Sequence, residues 1–196
     1  TTLCASYTIP YFEGFETGYT NASAVGECLY QESVSGSNPW TANSTSTNYN
    51  RSPRTGTFNA YLLYGNERWL FFGVDLTGGQ SYDFEMYARQ DGSGSANANI
   101  TVSYGDTAAA ASMTNTIVAE TGIINGEYQQ IAGSFTPSAT ATYYIGVKGF
   151  MNFTPWYISI DDISIEETPA CAPPIGLSVA AVTADTASAS WTAATG

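Results

Sequence analysis

The sequence contains no histidine and only five cationic side chains, and both shortages narrow the classes of function open to it. Without histidine, the chain cannot build a Ser-His-Asp triad, a Cys-His pair or a histidine-ligated zinc site. Five Lys and Arg residues against 17 Asp and Glu residues give a net charge of −12. Nucleic-acid binding depends on Lys and Arg contacts to phosphates, so we expect no nucleic-acid partner.

Long apolar runs are also missing. The longest, residues 69–74, has the length of a strand, far short of the roughly 20 apolar residues of a membrane-spanning helix. We therefore expect no membrane insertion. No signal peptide opens the chain, and we expect an extracellular or cell-surface protein that is exported by a signal upstream of this fragment.

Catalytic motifs are absent as well. No Gly-rich phosphate loop stands before a helix. The 17 acidic residues always contain some carboxylate pair, as a glycosidase needs, but nothing in the sequence singles one out. The sequence therefore predicts that the protein is not an enzyme.

Cysteine is scarce, with Cys4, Cys28 and Cys171 as its three occurrences. We predict a disulfide between Cys4 and Cys28, which would stabilise the fold by roughly 3 kcal/mol through the loop that it closes. The alternative is three unrelated free thiols. With Cys4 and Cys28 paired, Cys171 is odd, which suggests that its partner lies beyond Gly196.

Strand-forming residues and turn signals are abundant. The chain has 14 Tyr, 9 Phe and 19 Gly residues, and turn residues recur every 8–14 positions between runs of alternating polarity. This pattern predicts an all-β, antiparallel jelly-roll β-sandwich. The predicted strands are Asn59–Tyr64, Arg68–Leu76, Gln80–Arg89, Asn97–Tyr104, Thr116–Ala119, Tyr128–Phe135, Ala141–Phe150 and Trp156–Glu166.

Changes in composition predict four segments. Residues 1–7 read as a linker, 8–167 as the sandwich and 168–174 as a Pro-rich linker. Residues 175–196 hold two strand patterns and one Trp, too little for a core, and predict the truncated start of a second β domain. Within the sandwich, residues 35–59 are rich in Ser, Thr and Asn and predict a long exposed loop.

An acidic pair interrupts the last predicted strand. Ile158 and Ile160 share one face, but the next apolar residues, Ile163 and Ile165, have the opposite parity. A parity shift at Asp161-Asp162 predicts a β-bulge that leaves a carboxylate near the core edge, where an uncompensated charge is costly. Calcium is a suitable partner for such a carboxylate, because Ca²⁺ prefers oxygen ligands.

The N-terminal strand offers further carboxylates. Glu13 and Glu16 flank Phe15 and are the natural second source of calcium ligands if this strand lies beside the last one. The alternative is that all these carboxylates are ordinary solvated side chains at strand ends.

Two segments carry a family resemblance. Residues 8–16 (Thr-Ile-Pro-Tyr-Phe-Glu-Gly-Phe-Glu) and 160–165 (Ile-Asp-Asp-Ile-Ser-Ile) resemble the ends of the MAM-like jelly-roll modules of Bacteroidetes surface proteins, a group that includes cleaved adhesin and choice-of-anchor modules. The resemblance implies structural Ca²⁺ held by Glu16 and Asp161, with Glu13 and Asp162 as further ligands. It also implies export to the cell surface and adhesive or carbohydrate-binding roles.

A second resemblance covers the C-terminal end. Residues 171–177 (Cys-Ala-Pro-Pro-Ile-Gly-Leu) through Trp191 resemble the opening of a fibronectin type III domain. Such modules commonly follow one another in multidomain secreted proteins.

Aromatic side chains near loops and strand ends are the candidate ligand contacts, because sugars stack on flat aromatic faces. Trp40, in the predicted loop, is the first candidate and Trp156 the second; the whole set is Trp40, Tyr49, Trp69, Trp156 and Tyr157. The alternative for each is packing in the core or at its rim. Residues 71–74 stand where the family resemblance implies a Pro, which puts a ligand site at Trp69 in doubt.

Two short motifs, Asp106-Thr107-Ala108 and Asp185-Thr186-Ala187, resemble the O-glycosylation sequence of Bacteroidetes, with Thr107 and Thr186 as acceptors. Taken together, the sequence predicts a calcium-stabilised adhesion or carbohydrate-binding module of a multidomain surface protein. Its partners would be a glycan or a host or cell-surface protein, beside the neighbouring domains of its own chain. The alternatives are a structural spacer or filament subunit, and an accessory domain of a secreted hydrolase.

Overall fold

A computed structural model describes residues 4–26, 28–44, 50–169 and 175–192. These residues form strands β1 to β13 and a short 3₁₀ helix over Ala110–Ser112. The strands are β1 (Tyr11–Glu13), β2 (Tyr30–Ser35), β3 (Thr41–Ser44), β4 (Phe58–Leu63), β5 (Asn66–Leu76), β6 (Tyr82–Gln90), β7 (Ala98–Gly105), β8 (Asn115–Gly122), β9 (Gln129–Phe135), β10 (Ala141–Met151), β11 (Tyr157–Glu167), β12 (Ile175–Ala180) and β13 (Ser188–Thr192).

Two antiparallel sheets form the sandwich. The five-stranded sheet has the order β2-β5-β10-β7-β8, and the six-stranded sheet has the order β3-β4-β11-β6-β9, with β1 paired to one end of β11. The all-β, antiparallel sandwich predicted from the sequence is confirmed. Each of the eight predicted strands is present, with ends within three residues of the prediction.

The core lies between the two sheets and follows the alternation of each strand. On β6, Tyr82, Phe84 and Met86 are buried against the facing sheet, while Asp83 and Glu85 point outward. Burial of apolar area at about 25 cal/mol per Å² is the main stabilising contribution to such a core. The polarity pattern was a sufficient signal because a period of two fixes which face is inside.

Two sequence expectations about segment boundaries are wrong. Residues 41–44, placed in an exposed loop, form β3 at the edge of the six-stranded sheet, with Ala42 and Asn43 buried. Residues 4–7, assigned to a linker, are fixed to the sandwich. Tyr7 donates its N–H to the Gly73 carbonyl at 2.9 Å, and its own carbonyl accepts the N–H of Asp75 at 2.8 Å.

The predicted interruption of the last strand is present. The register between β11 and β6 shifts between Asp161 and Ser164, and Asp162 has a positive φ of 50°. This conformation is uncommon for a non-glycine residue. The bulge allows Ile158 and Ile160 before it, and Ile163 and Ile165 after it, to point into the same core.

Cys4 and Cys28 form the predicted disulfide, with their Cα atoms 5.3 Å apart. It ties the N-terminal segment to the chain just before β2. Cys171 lies outside the described residues.

The disulfide gives a stability prediction. Replacing both residues (Cys4→Ser with Cys28→Ser) should lower the free energy of unfolding by about 3 kcal/mol, because the unfolded chain loses a constraint across 24 residues of sequence. Urea unfolding monitored by fluorescence measures this change, with Cys171→Ser as the control for loss of a thiol alone. An unchanged unfolding midpoint in the double variant would contradict the prediction.

Residues 175–192 form their own two-stranded sheet, β12 with β13, apart from the two sheets of the sandwich. That the stretch opens a second domain stays a prediction. In the described part of the chain, no helix has the length and apolarity needed to span a membrane.

Candidate functional site

Three exposed aromatic side chains meet at one end of the sandwich, and we call them the loop-end cluster: Tyr64, Phe153 and Trp156. Their exposed fractions are 36%, 75% and 48%. The Tyr64 ring lies 4.7 Å from Trp156 at 83° and 6.4 Å from Phe153 at 58°, measured between ring centroids. Such a group of exposed rings is a candidate stacking surface, since isolated apolar side chains are common on surfaces but contiguous ones are not.

Hydrogen bonds between three loops hold this cluster. The backbone N–H of Tyr64, after β4, donates to the Trp156 carbonyl at 2.9 Å. The backbone N–H of Trp156 donates to Asp91 Oδ2 at 2.7 Å, and Asp91 follows β6. The Ser95 hydroxyl donates to the Thr154 carbonyl at 2.6 Å. The rings are therefore presented by a braced set of loops, which lowers the ordering cost of binding.

The predicted ligand contact Trp156 belongs to this cluster, whereas its neighbour Tyr157 points to a different surface. The Tyr157 ring packs edge-on against Tyr61 at 5.4 Å, and the Arg51 guanidinium lies over both rings, at 4.4 Å from Tyr157 and 5.0 Å from Tyr61. These contacts hold the Tyr157 ring against Tyr61 and Arg51, away from the loop-end cluster.

Trp40, the first candidate for a ligand contact, is a core residue, so this expectation is wrong. Its side chain is completely buried, and its indole N–H donates to the Arg68 carbonyl at 3.3 Å. A Cβ atom on Gly149 would lie 2.5 Å from the Trp40 ring, so the glycine makes room for the indole. The polar residues around Trp40 in the sequence concealed β3, the strand that it precedes. Tyr49 lies outside the described residues.

Trp69 is also covered, which corrects its assignment as a ligand contact. It lies on the outer face of the five-stranded sheet, stacked on Phe71 at 5.7 Å, and is 7% exposed. Met113 and both rings share the space above Gly146, where a Cβ would lie 2.7 Å from Met113 Sδ and 2.9 Å from each ring. The Ala110 N–H donates to Glu32 Oε2 at 2.7 Å and fixes the covering segment 106–113.

A second segment, residues 50–57, lies across the outer face of the six-stranded sheet. The Arg51 carbonyl accepts hydrogen bonds from the amides of Asn43 at 2.6 Å and Asn59 at 3.0 Å. The Ser52 carbonyl accepts from the Arg89 guanidinium and from the Tyr128 hydroxyl. Sheet residues that would otherwise face water are buried under this segment.

Asp161 and Asp162 at the bulge bind the same covering segment, but Asp162 pairs with a cationic side chain whereas Asp161 accepts backbone N–H groups. Asp161 is fully buried and accepts the backbone N–H of Arg54 at 2.8 Å. Burial raises the pKa of Asp161 from 3.8 to about 7, and the hydrogen bond from Arg54 opposes that rise. Asp162 instead forms a salt bridge with the Arg54 guanidinium at 2.6 Å and accepts the Thr55 hydroxyl at 2.6 Å.

Glu16 approaches the same segment from the N-terminal side. Its carboxylate accepts the backbone N–H groups of Thr57 and Phe58 at 2.9 Å. Glu13 accepts the N–H of Phe15 at 2.5 Å. The described residues contain no group of three or more Asp, Glu or Cys side chains that could hold a metal ion, and calcium binding by the four predicted ligands stays a prediction.

The donor chemistry nevertheless fits a hard cation at part of this region. Asp161 and Glu16 reach residues 54–58 with carboxylate oxygens that accept backbone N–H groups, and Ca²⁺ selects oxygen ligands. Asp162 fits less well because Arg54 already balances its charge.

A groove of about 690 Å³ lies next to this region on the six-stranded sheet. Phe12, which is 64% exposed, presents an open aromatic ring to the groove. The Tyr87 ring is covered by the Arg54 guanidinium, whose Cζ lies 3.4 Å from the ring centroid. Carboxylates supply most of its remaining walls. The groove is lined by Phe12, Arg54, Thr55, Asp83, Glu85, Tyr87, Asp162, Ser164, Glu166, Glu167 and Pro169.

The two predicted glycosylation acceptors lie in different parts of the chain. Thr107 is in the covering segment 106–113, with its hydroxyl bonded to that of Ser112. Thr186 is exposed in the turn between β12 and β13. Their use as acceptors stays a prediction.

The comparison with protein families identifies the family of the sandwich, over a range that ends before Phe153 and Trp156. Residues 10–145 match the CBM_4_9 model, described as carbohydrate binding domain, and this is more than half of the chain. The chain belongs to this carbohydrate-binding domain family. Family membership supports a non-catalytic module that acts in carbohydrate binding or adhesion. No curated protein gives a significant match.

Solved structures share the fold of this carbohydrate-binding domain. The K1 cleaved adhesin domain of Lys-gingipain from Porphyromonas gingivalis is similar with a TM-score of 0.61 and 16% identity, over 81% of this chain and 98% of that one. TmCBM61 in complex with β-1,4-galactotriose gives 0.58 and 15%, over 79% and 94%. The CBM22-1 xylan-binding domain of Paenibacillus barcinonensis Xyn10C gives 0.52 and 10%, over 85% and 99%. At these identities the likeness concerns the fold alone.

Proposed function

We propose that this domain binds a glycan through the loop-end cluster of Tyr64, Phe153 and Trp156. The single observation that carries the proposal is the meeting of three exposed aromatic rings, contributed by the β4–β5 and β10–β11 loops, in a chain of a carbohydrate-binding family. Aromatic faces bind the C–H faces of sugars, and the loop groups beside them supply hydrogen bonds to hydroxyls. Of the similar structures, TmCBM61 is in complex with β-1,4-galactotriose and CBM22-1 is a xylan-binding domain, which supports a saccharide ligand here.

A glycan array probed with the purified chain tests this function. The proposal expects saturable binding to a limited set of glycans that is competed by the same glycan in solution. A chain that binds no glycan but self-associates under native conditions would instead support the alternative of a structural spacer or filament subunit. An accessory role beside a catalytic domain would be tested by the sequence of the parent protein.

We further propose that Ca²⁺ stabilises the domain, held by Asp161 and Glu16 at segment 54–58. The support is the convergence of two carboxylates from opposite ends of the chain on one loop, together with the burial of Asp161. Asp162, paired with Arg54, and Glu13, bonded to Phe15, contribute less. Bound calcium would join the two ends of the sandwich chain and offset the cost of burying Asp161.

Calcium should raise the unfolding temperature by several degrees relative to chelator, since an ion at about 100 times its dissociation constant adds about 2.7 kcal/mol. Asp161→Asn should remove this rise, and Asp106→Asn, at an exposed position, should keep it. Differential scanning calorimetry measures the change, and metal analysis of the purified protein detects an ion too tightly held for the chelator. No bound calcium together with no temperature shift would contradict the site.

The wider setting of the domain is also a proposal. We propose an extracellular or cell-surface location, a neighbouring domain that begins at residue 175, and adhesion to a glycan or a host surface as the biological role. The cleaved adhesin fold of the Lys-gingipain domain and the resemblance of residues 171–191 to a fibronectin type III opening support this setting. Expression of a longer C-terminal segment that folds on its own would test the second domain.

A further inference from the structure

The ring geometry of the loop-end cluster carries information about the kind of saccharide it accepts. The Tyr64 and Trp156 rings are nearly perpendicular, at 83°, with centroids 4.7 Å apart. Two perpendicular rings form a corner, and a flat run of successive sugar units cannot stack on both. A corner fits one sugar unit, which lies with a face on one ring and an edge against the other.

Parts of the two broad faces where an extended chain could lie are covered. Segment 106–113 covers the Trp69 and Phe71 rings on the five-stranded sheet, with Met113 on top of them. Segment 50–57 covers the six-stranded sheet through hydrogen bonds to Asn43, Asn59 and Arg89. Phe12, in the neighbouring acidic groove, offers a single ring. Among the described residues, three exposed rings meet at the loop-end cluster, and this cluster lies at the end of the sandwich, where a chain end can arrive from solvent.

The charges around the cluster favour a neutral sugar over an anionic one. The polar side chain that braces Trp156 is a carboxylate, Asp91. Four of the five cations, which would bind a carboxylate or sulfate on a sugar, are engaged elsewhere: Arg54 with Asp162, Lys148 with Glu67, Arg89 with Ser52 and Arg51 over Tyr61 and Tyr157. The fifth, Arg68, is a half-buried residue of β5. With a net charge of −12, the chain repels an anionic ligand.

We infer that the loop-end cluster recognises an uncharged sugar unit at the end of a glycan chain. This inference rests on the proposed glycan-binding function and narrows its ligand. It assigns Trp156 and Tyr64 as the two walls of the corner, with Asp91 as the group that excludes anionic sugars.

Titration calorimetry with the intact chain tests the first half of the inference. The probes are neutral oligosaccharides of glucose, galactose, mannose or xylose, each from one to six units. In the series that binds, the dissociation constant should change by less than about threefold from two units to six. An affinity that rises about tenfold or more through four or more units would overturn end recognition while leaving glycan binding intact.

The second half is tested with matched glycans that carry or lack terminal sialic acid, prepared by sialidase treatment. The uncharged member should bind at least about tenfold more tightly, because like charges oppose each other at the site. Asp91→Asn should reduce this difference, and Asp106→Asn, remote in sequence and exposed, should not. Equal or tighter binding of the acidic member would overturn the inference alone, and no binding to any glycan would overturn the proposed function as well.

Discussion

Trp156→Ala should weaken glycan binding by at least about tenfold, which corresponds to about 1.4 kcal/mol or more. Trp156 is half exposed and forms one wall of the loop-end cluster, where its ring is free on one side to meet a ligand. Aromatic anchors at the centre of a binding surface carry a large share of the binding energy. The unfolding temperature should change little, since an exposed side chain outside the core contributes little to stability. Titration calorimetry measures the binding and calorimetric scanning measures the stability.

Two other exposed aromatic residues provide matched controls. Trp191, on β13, is 58% exposed, and Phe12, in the acidic groove, is 64% exposed. Trp191→Ala and Phe12→Ala should each leave the dissociation constant unchanged within about twofold. Loss of binding in Phe12→Ala with retention in Trp156→Ala would move the site to the groove and contradict the proposed function.

Trp40→Ala should destabilise the domain by about 3–5 kcal/mol, the usual cost of truncating a buried Trp or Phe. The indole fills the space over Gly149, and its N–H donates to the Arg68 carbonyl. The variant leaves a cavity and removes this hydrogen bond. Since whole domains have stabilities of about 5–15 kcal/mol, this loss is a large fraction of the total. The unfolding temperature should fall by roughly 6–20 °C.

Trp40→Phe separates packing from ligand contact at this position. It keeps an aromatic ring in the core and should cost less than Trp40→Ala. In both variants, glycan binding measured well below the unfolding temperature should follow the folded fraction of the protein. A variant with normal stability but no binding would show that Trp40 contacts the ligand after all, against its complete burial.

The strands could be predicted from the sequence because their signal is local. Alternation such as Tyr82, Phe84 and Met86 against Asp83 and Glu85 specifies a strand and its inner face together. The parity change at Asp161-Asp162 was likewise sufficient to predict the bulge, since a period of two tolerates no shift without an extra residue. Neither inference needs knowledge of which strands pair.

Burial of single aromatic residues could not be predicted, because it depends on partners distant in sequence. Trp40 stands in a Ser- and Asn-rich stretch, yet Gly149, more than a hundred positions later, provides the space for its ring. Trp69 has the pattern of an exposed strand position and is covered by Met113 from the loop between β7 and β8. Polar surroundings were therefore a poor guide to exposure.

The same limit applies to the candidate site. Trp156 was found from its position after Pro155, but Tyr64 and Phe153 were missed, because only the pairing of β4 with β11 brings Tyr64 beside Trp156. The acidic residues of the candidate calcium site could be identified from the sequence, but the groups that they bind could not. Arg54 approaches Asp162 from over a hundred residues away, and this salt bridge changes Asp162 from a candidate metal ligand to a paired ion.

Indole N–H resonances offer the most direct test of glycan binding at the loop-end cluster. The chain has four tryptophans, so a ¹⁵N correlation spectrum should resolve four indole signals, assigned by single Trp→Phe variants. On titration with a glycan that binds, the Trp156 signal should shift in a saturable manner. The signals of Trp40, which is buried, and of Trp191, on β13, should stay in place. Saturable shifts at Trp69 with none at Trp156 would contradict the account, and would place the ligand on the five-stranded sheet beneath Met113.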